Sequence, residues 1–160
     1  MDTWKAYKRQ GLVRLSPTPR QLPTKQRLAK FYPQEDLHCP LCQRETEDDH
    51  HLFYGWQYAS AIWIEIQPWW AVSPAFDSIE GRLWPLLKMK RDKQSKQITF
   101  AIFLVVIHHT RLARNNAQLK HQIIQAKDTI KIIKEQILHR VVFLHTHTKK
   151  YSLHLHKLLQ

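Results

Sequence analysis

Apolar side chains in the second half of the chain recur at the spacing of long helices. The last proline is Pro85 and the last glycine is Gly81, so some 75 residues run without either helix breaker. Within this stretch, six apolar residues follow one another at intervals of four and three: Leu119, Ile123, Ala126, Ile130, Ile133 and Ile137. Such spacing places them on one face of a helix. We predict that this seam packs on a neighbouring helix of the same domain, because about three heptads are few for a coiled-coil dimer. Pairing with a helix of a protein partner is the alternative.

The first half of the chain predicts shorter elements. Four prolines interrupt residues 1–37 and favour short helical turns between loops. We predict one short helix from Leu22 to Tyr32, in which Leu28 and Phe31 share a face. A second helix begins near Tyr58 and ends at Pro68, with a core-facing side that holds Ile62, Trp63 and Ile66. A third is predicted from Phe76 to Lys90, interrupted near Pro85.

These patterns define a mainly α-helical fold class, with a small zinc-knuckle-like segment followed by long basic helices. The core is expected around Trp63, Trp84 and Phe103. The predicted organisation has four parts: residues 1–37, short helices and loops; 38–66, the knuckle-like segment and its helix; 67–142, the long basic helices; and 143–160, a histidine-rich tail whose pattern fits a strand or a frayed helix.

Positive charge is concentrated in the second half of the chain. Residues 1–85 carry ten Lys/Arg and ten Asp/Glu, whereas residues 86–160 carry fifteen and three, which accounts for the net charge of +12. A one-sided excess of this size favours a polyanion such as RNA or DNA over a merely solvated surface. The candidate nucleic-acid-binding residues are Lys88, Lys90, Arg91, Lys93, Lys96, Arg111, Arg114, Lys120, Lys127, Lys131 and Lys134.

Targeting signals are absent from the pattern. The N-terminus has no apolar signal-peptide core, and the longest apolar stretch, Phe100 to Ile107, is too short for a membrane-spanning helix. We therefore expect an intracellular protein of the cytoplasm or nucleus that is not secreted and does not span a membrane. In that setting, two cysteines indicate a metal half-site or spare thiols rather than a disulfide framework.

The two cysteines and two nearby histidines have the spacing of a zinc knuckle. Cys39 and Cys42 form a C-x2-C turn, and His50 and His51 follow after a short acidic bridge. Zinc takes four N or S ligands in a tetrahedron, and such a turn supplies two thiolates. The alternative is that His50 caps a helix and His51 packs under Phe53, without metal.

A wider set of residues resembles the zinc-binding C-terminal domain of LINE-type (non-LTR) retrotransposon reverse transcriptases. The matching residues, in order, are Leu22, Pro23, Thr24 and Leu28; Cys39, Pro40 and Cys42; His51, Leu52 and Phe53; Trp63; and Ala113, Arg114 and Asn115. The resemblance covers about residues 20–116. It implies a zinc cofactor held by Cys39, Cys42 and His51, and a role in holding element RNA or target DNA.

The chain departs from that family at two positions. The last zinc ligand of the family falls on Trp56, and an indole does not ligate zinc. Asp49, water or His50 can substitute, although the side chains of adjacent histidines diverge in most backbone conformations. Arg111 stands where the family usually has Trp. The resemblance therefore implies a degenerate site or one rebuilt around His50.

Catalytic motifs are missing from the sequence. Reverse transcription requires carboxylates that bind two divalent ions, and no Tyr/Phe-x-Asp-Asp motif is present. The acidic run Glu47, Asp48 and Asp49 is interpreted as a solvated bridge. An HNH-type nuclease requires an Asn and a further His a short distance downstream, and this sequence lacks them. A cysteine nucleophile requires a histidine base, and none is evident. We expect no enzyme, but a nucleic-acid-binding module or, in second place, a helical protein–protein adaptor using the 119–137 seam. Tyr54 and Trp56 either stack on unpaired bases or pack in the core.

Overall fold

The described part of the chain is helical. The computed structural model describes the backbone of residues 24–33, 36–69 and 93–148, and the side chains there except at 93, 94 and 144–148. It contains α1 (Lys25–Leu28), a π-helical turn (His51–Gly55), α2 (Gln57–Ile66), a 3₁₀ turn (Gln67–Trp69), α3 (Lys93–Lys120) and α4 (Ala126–Thr148). Extended pairing within these residues is limited to one antiparallel bridge between His38 and Thr46. The predicted mainly α-helical fold class is confirmed.

Helix α1 is shorter than predicted. Thr24 has the extended backbone of an N-cap residue, and the helix ends after Leu28. The prediction that Leu28 and Phe31 share a helix face is wrong, because Phe31 lies beyond the end of the helix, where it is 77% exposed. The first predicted residues of this helix lie outside the described ranges.

Helix α2 matches its prediction closely. It begins at Gln57, next to the predicted Tyr58, and the chain tightens into a 3₁₀ turn at Pro68. The predicted core positions Ile62, Trp63 and Ile66 are all buried. The indole of Trp63 donates a hydrogen bond to the carbonyl of Phe53 (2.7 Å). This bond ties α2 to the π-helical turn.

The predicted seam from Leu119 to Ile137 is not one continuous stripe. Helix α3 ends at Lys120, and residues 121–125 reverse the chain before α4 begins. His121 enters the left-handed region with φ of 53°, and the N–H of Gln122 bonds to the carbonyl of Asn116 (3.2 Å). Leu119 and Ile123 are consequently exposed, at 75% and 67%. The prediction of one unbroken seam is wrong.

The other half of that seam packs inside the domain, as predicted. Helix α4 buries residues one turn apart, namely Thr129, Ile133, Ile137 and Val141. Ile133, Ile137 and Val141 belong to the same core cluster as α2 and as Ile102, Phe103 and Val106 of α3. The hydroxyls of Tyr58 and Thr129 share a short hydrogen bond across the α2–α4 contact. The α3–α4 hairpin therefore closes over α2 and the knuckle.

Several predictions fall on residues outside the described ranges. These are the helix from Phe76 to Lys90, the core position Trp84 and the tail beyond residue 148. Helix α4 runs through the predicted boundary at residue 143 and ends at Thr148. None of the described helices is both long enough and apolar enough to span a bilayer.

Candidate metal centre and basic surface

The knuckle is a tight loop closed by main-chain hydrogen bonds. The N–H of Gln43 bonds to the carbonyl of Cys39 (2.8 Å), and Gln43 has a φ of 56° that closes the turn. The N–H of Cys39 bonds to the carbonyl of Glu45, and that of Glu47 bonds to the carbonyl of Leu37 (2.8 and 2.9 Å). Pairing on both sides of the turn fixes the backbone that carries the two thiols.

Cys39, Cys42 and His51 converge on one point. Their ligand atoms all lie within 4.8 Å of one another, and Cys42 Sγ is 3.4 Å from His51 Nε2. Tetrahedral zinc with Zn–S of about 2.3 Å and Zn–N of about 2.0 Å separates such a pair by about 3.5 Å. The side chain of His51 is 7% exposed. The three donors fit a zinc ion in both chemistry and spacing.

The environment of Cys39 also fits a metal ligand better than a nucleophile. Cys39 is fully buried, and the burial raises the pKa of its thiol to about 11. A thiol with that pKa stays protonated at neutral pH and reacts slowly. A zinc ion deprotonates a coordinating thiol outright. The alternative of Cys39 as a catalytic nucleophile therefore finds no support.

The position of the family's fourth ligand is filled by a core aromatic. Trp56 is 8% exposed, and its ring stacks on Tyr58 with centroids 4.3 Å apart and planes 7° from parallel. His50 is exposed, and its ring centroid lies 6.3 Å from that of Tyr54. Among the described residues, the group of metal-ligand donors contains Cys39, Cys42 and His51 and does not include His50. A substitute role for His50 stays a prediction.

The acidic bridge is not solvated along its whole length, contrary to the sequence interpretation. Glu47 is fully buried and accepts two hydrogen bonds from the guanidinium of Arg114, Nη2 to Oε1 at 2.7 Å and Nε to Oε2 at 2.9 Å. It also accepts the main-chain N–H of Lys25 (3.0 Å). Asp48 Oδ1 accepts the N–H of His51 (2.6 Å), and Asp49 pairs with Arg27. The bridge thus connects the knuckle to α1, to α3 and to the ligand His51.

Sequence reasoning missed the Glu47–Arg114 pair. Arg114 was assigned to the nucleic-acid-binding surface, but its side chain is 11% exposed and bound to a carboxylate 67 residues away. We therefore correct this assignment and leave Arg114 out of the basic surface. One signal was present: Arg114 belongs to the Ala-Arg-Asn element of the family resemblance, whereas a simple phosphate contact needs no fixed neighbours.

The remaining basic candidates differ in exposure. Lys120, Lys127 and Lys131 are exposed, and Lys96 and Arg111 are half-buried. Burial lowers the pKa of Arg111, with repulsion from Arg114 adding to the effect. Lys134 donates to Glu65 (3.1 Å) and lies 5.5 Å from the ring centroid of Trp69. The structure does not describe the side chains of the other four candidates, Lys88, Lys90, Arg91 and Lys93.

The two knuckle aromatics pack inside the protein. Trp56 stacks on Tyr58 as described, and Tyr54 lies parallel to Trp63, with centroids 6.1 Å apart and planes at 11°. Stacking of Trp56 on a base would require an exposed face of its ring, and the ring is buried. Of the two alternatives left open by the sequence, the structure favours packing.

Comparison with known families agrees with this geometry. Residues 4–63 match the family model described as zinc-binding in reverse transcriptase. This segment contains all three converging donors, and the match agrees with the resemblance to reverse transcriptase zinc-binding domains predicted from the sequence. The matching model describes a zinc-binding domain and not a polymerase or a nuclease. No curated protein and no solved structure matches the chain.

Proposed function

We propose that the chain is a non-catalytic nucleic-acid-binding module, built around a zinc ion held by Cys39, Cys42 and His51. The observation that carries the proposal is the convergence of these three donors inside a segment matching the reverse transcriptase zinc-binding family. Zinc would contribute folding energy to a loop that has little core of its own. The chain's own residues supply the rest: Asp48 fixes the His51 backbone, and the Glu47–Arg114 pair holds the knuckle against α3.

Elemental analysis of bound zinc tests the metal part of the proposal. The full chain is the appropriate sample, because α4 continues to Thr148, well into the histidine-rich part of the sequence. A Cys39→Ser/Cys42→Ser variant measures adventitious zinc on the histidines. We expect one zinc per chain above that background. Zinc equal to the background would refute the metal site.

The fourth coordination position is tested with two substitutions of one residue. Trp56→Cys restores the family's ligand, whereas Trp56→Ser opens a similar cavity in the core without a thiol. Tighter zinc binding in the Cys variant than in the Ser variant indicates that the unmodified chain binds zinc through an incomplete set. Loss of zinc in His50→Ala, with no gain from Trp56→Cys, indicates a set rebuilt around His50.

Nucleic-acid binding is proposed for the exposed lysines of the helical hairpin. Lys127 and Lys131 lie one turn apart on α4, both are exposed, and Lys120 lies at the end of α3. The net charge of +12 comes from this half of the chain. Lysines of this kind contact phosphates, which sets affinity without reading sequence.

Fluorescence anisotropy with single-stranded RNA and DNA, over a range of salt, tests this surface. Each phosphate contact on a single strand contributes about 0.7 to the slope of log K against log salt. We expect Lys127→Gln/Lys131→Gln to reduce the slope by about 1.4, that is, two such contacts. Lys134→Gln is the comparison variant: this lysine is also a sequence candidate, but it already pairs with Glu65 and should change the slope less than either exposed lysine. Salt-independent binding, or an equal slope in the double variant and the unmodified chain, would refute the assignment.

The adaptor hypothesis receives no support from the packing. Ile133 and Ile137 of the proposed docking seam are buried in the core, at 0% and 3% exposure. Presenting them to a partner helix would require the α3–α4 hairpin to open.

A further inference from the structure

Glu45 contacts the candidate metal centre from the side opposite the ligand atoms. Its Oε2 lies 2.8 Å from Nδ1 of His51, while Nε2 of the same ring lies 3.4 Å from Cys42 Sγ. A carboxylate accepts hydrogen bonds, so the ring proton belongs on Nδ1 and the lone pair on Nε2. That lone pair points toward the thiols.

The main chain of Glu45 holds a second ligand. Its carbonyl accepts the N–H of Cys39 (2.8 Å), so one residue fixes the backbone of Cys39 and the ring of His51. The bridge between His38 and Thr46 keeps this part of the loop in register. Glu45 therefore lies on a preorganised turn, although its own side chain is 71% exposed.

The other acids of the loop are committed elsewhere. Glu47 binds Arg114 and Asp49 pairs with Arg27. Asp48 accepts the main-chain N–H of His51 and not the ring. Among the described residues, Glu45 is accordingly the acid whose carboxylate meets the imidazole of His51.

We propose that Glu45 is the positioning residue of this centre: its carboxylate accepts the Nδ1–H of His51 and thereby presents Nε2 to a zinc ion shared with Cys39 and Cys42. The inference rests on the proposed zinc site. Metal-binding histidines donate their second ring N–H to a carboxylate or carbonyl in this way, and loss of the partner costs about 10- to 100-fold in metal affinity. With Trp56 at the family's fourth position, misorientation of one ligand affects a larger share of the donor set.

Competition with a chromophoric chelator measures the effect on the full chain. We expect Glu45→Ala to weaken zinc binding by about 10- to 100-fold. Glu45→Gln keeps a carbonyl acceptor for the Nδ1–H and should recover part of that loss. Glu135→Ala, which removes an exposed acid of α4, serves as the control and should bind zinc like the unmodified chain.

The nitrogen spectrum of His51 separates positioning from a general structural role. Long-range ¹⁵N–¹H correlation of the zinc-loaded chain should show metal on Nε2 and a proton on Nδ1. In Glu45→Ala that Nδ1 proton should exchange faster with water, while the metal stays on Nε2 and the helical circular dichroism of the chain stays unchanged. If the loop merely unfolded, the Nδ1 proton and the metal on Nε2 would be lost together.

Two results would overturn the positioning role while leaving the zinc site intact. One is a zinc affinity of Glu45→Ala within about twofold of that of the unmodified chain, since the expected loss is about 10- to 100-fold. The other is coordination of the metal through Nδ1. A different result, no zinc above the Cys39→Ser/Cys42→Ser background in the unmodified chain, would refute the zinc site and the positioning role with it.

Discussion

Arg114→Met should be among the most destabilising substitutions at a charged position of this chain. The substitution keeps most of the length of the side chain but removes both hydrogen bonds to Glu47, whose carboxylate is fully buried. What remains is a buried carboxylate that keeps only the N–H of Lys25 among the partners described above. Removing one partner of a buried ion pair costs about 3–5 kcal/mol, because the other charge stays desolvated. Small domains have about 5–15 kcal/mol of total stability, so the loss is a large fraction.

A less deeply buried ion pair of the same segment is the comparison. Arg27 pairs with Asp49, and the two side chains are 29% and 28% exposed. Solvent screens this pair more strongly than the buried Glu47–Arg114 pair, so Arg27→Met should cost clearly less than Arg114→Met. The two variants remove the same charge and leave the same side chain.

Urea unfolding followed by tryptophan fluorescence and circular dichroism measures both effects. Zinc must be held at one fixed free concentration, since metal that binds only the folded state adds to the apparent stability. With a denaturant slope of about 2 kcal/mol per molar urea, a loss of about 4 kcal/mol lowers the midpoint by about 2 M. A double-mutant cycle with Glu47→Gln then isolates the coupling of the pair. Equal losses in Arg114→Met and Arg27→Met would refute the reasoning.

Two further predictions concern pH and the broken seam. Burial, with repulsion from His109 and Arg111, lowers the pKa of His108 below its ordinary 6.5. The folded state then binds this proton less readily than the unfolded state. The contribution of neutral His108 to the free energy of unfolding is therefore complete above pH 6.5 and is lost as the pH drops below it. In urea midpoints measured between pH 5 and 8, His108→Gln should flatten the decrease at low pH, and an unchanged profile would contradict the assignment. Ile133→Ala should cost about 2–5 kcal/mol because it opens a cavity in the core, whereas Ile123→Ala, at a 67% exposed residue, should stay within about 0.5 kcal/mol in the same urea assay; similar losses would argue for one continuous seam after all.

Features that depend on neighbours in the chain could be predicted from the sequence. Helix α2 follows from the spacing of Ile62, Trp63 and Ile66 and from Pro68 near its end. In the structure, the helix begins and ends within a residue or two of the predicted positions. The convergence of Cys39, Cys42 and His51 likewise follows from a turn of fixed length and a short bridge. In such cases, backbone geometry over a few residues already limits where the side chains can go.

Only the tertiary structure decided where the chain reverses and which charges are buried. The break at residues 121–125 contains neither glycine nor proline, and the apolar spacing runs straight through it. The helix ends there because a reversal lets Ile133 and Ile137 reach the core formed with α2, and that burial outweighs the exposure of Leu119 and Ile123. Arg114 is equally uninformative by itself: a lone basic residue on a helix predicts a solvated surface, and only the fold brings it to Glu47. Burial and ion pairing between residues distant in sequence are properties of packing, which no local pattern contains.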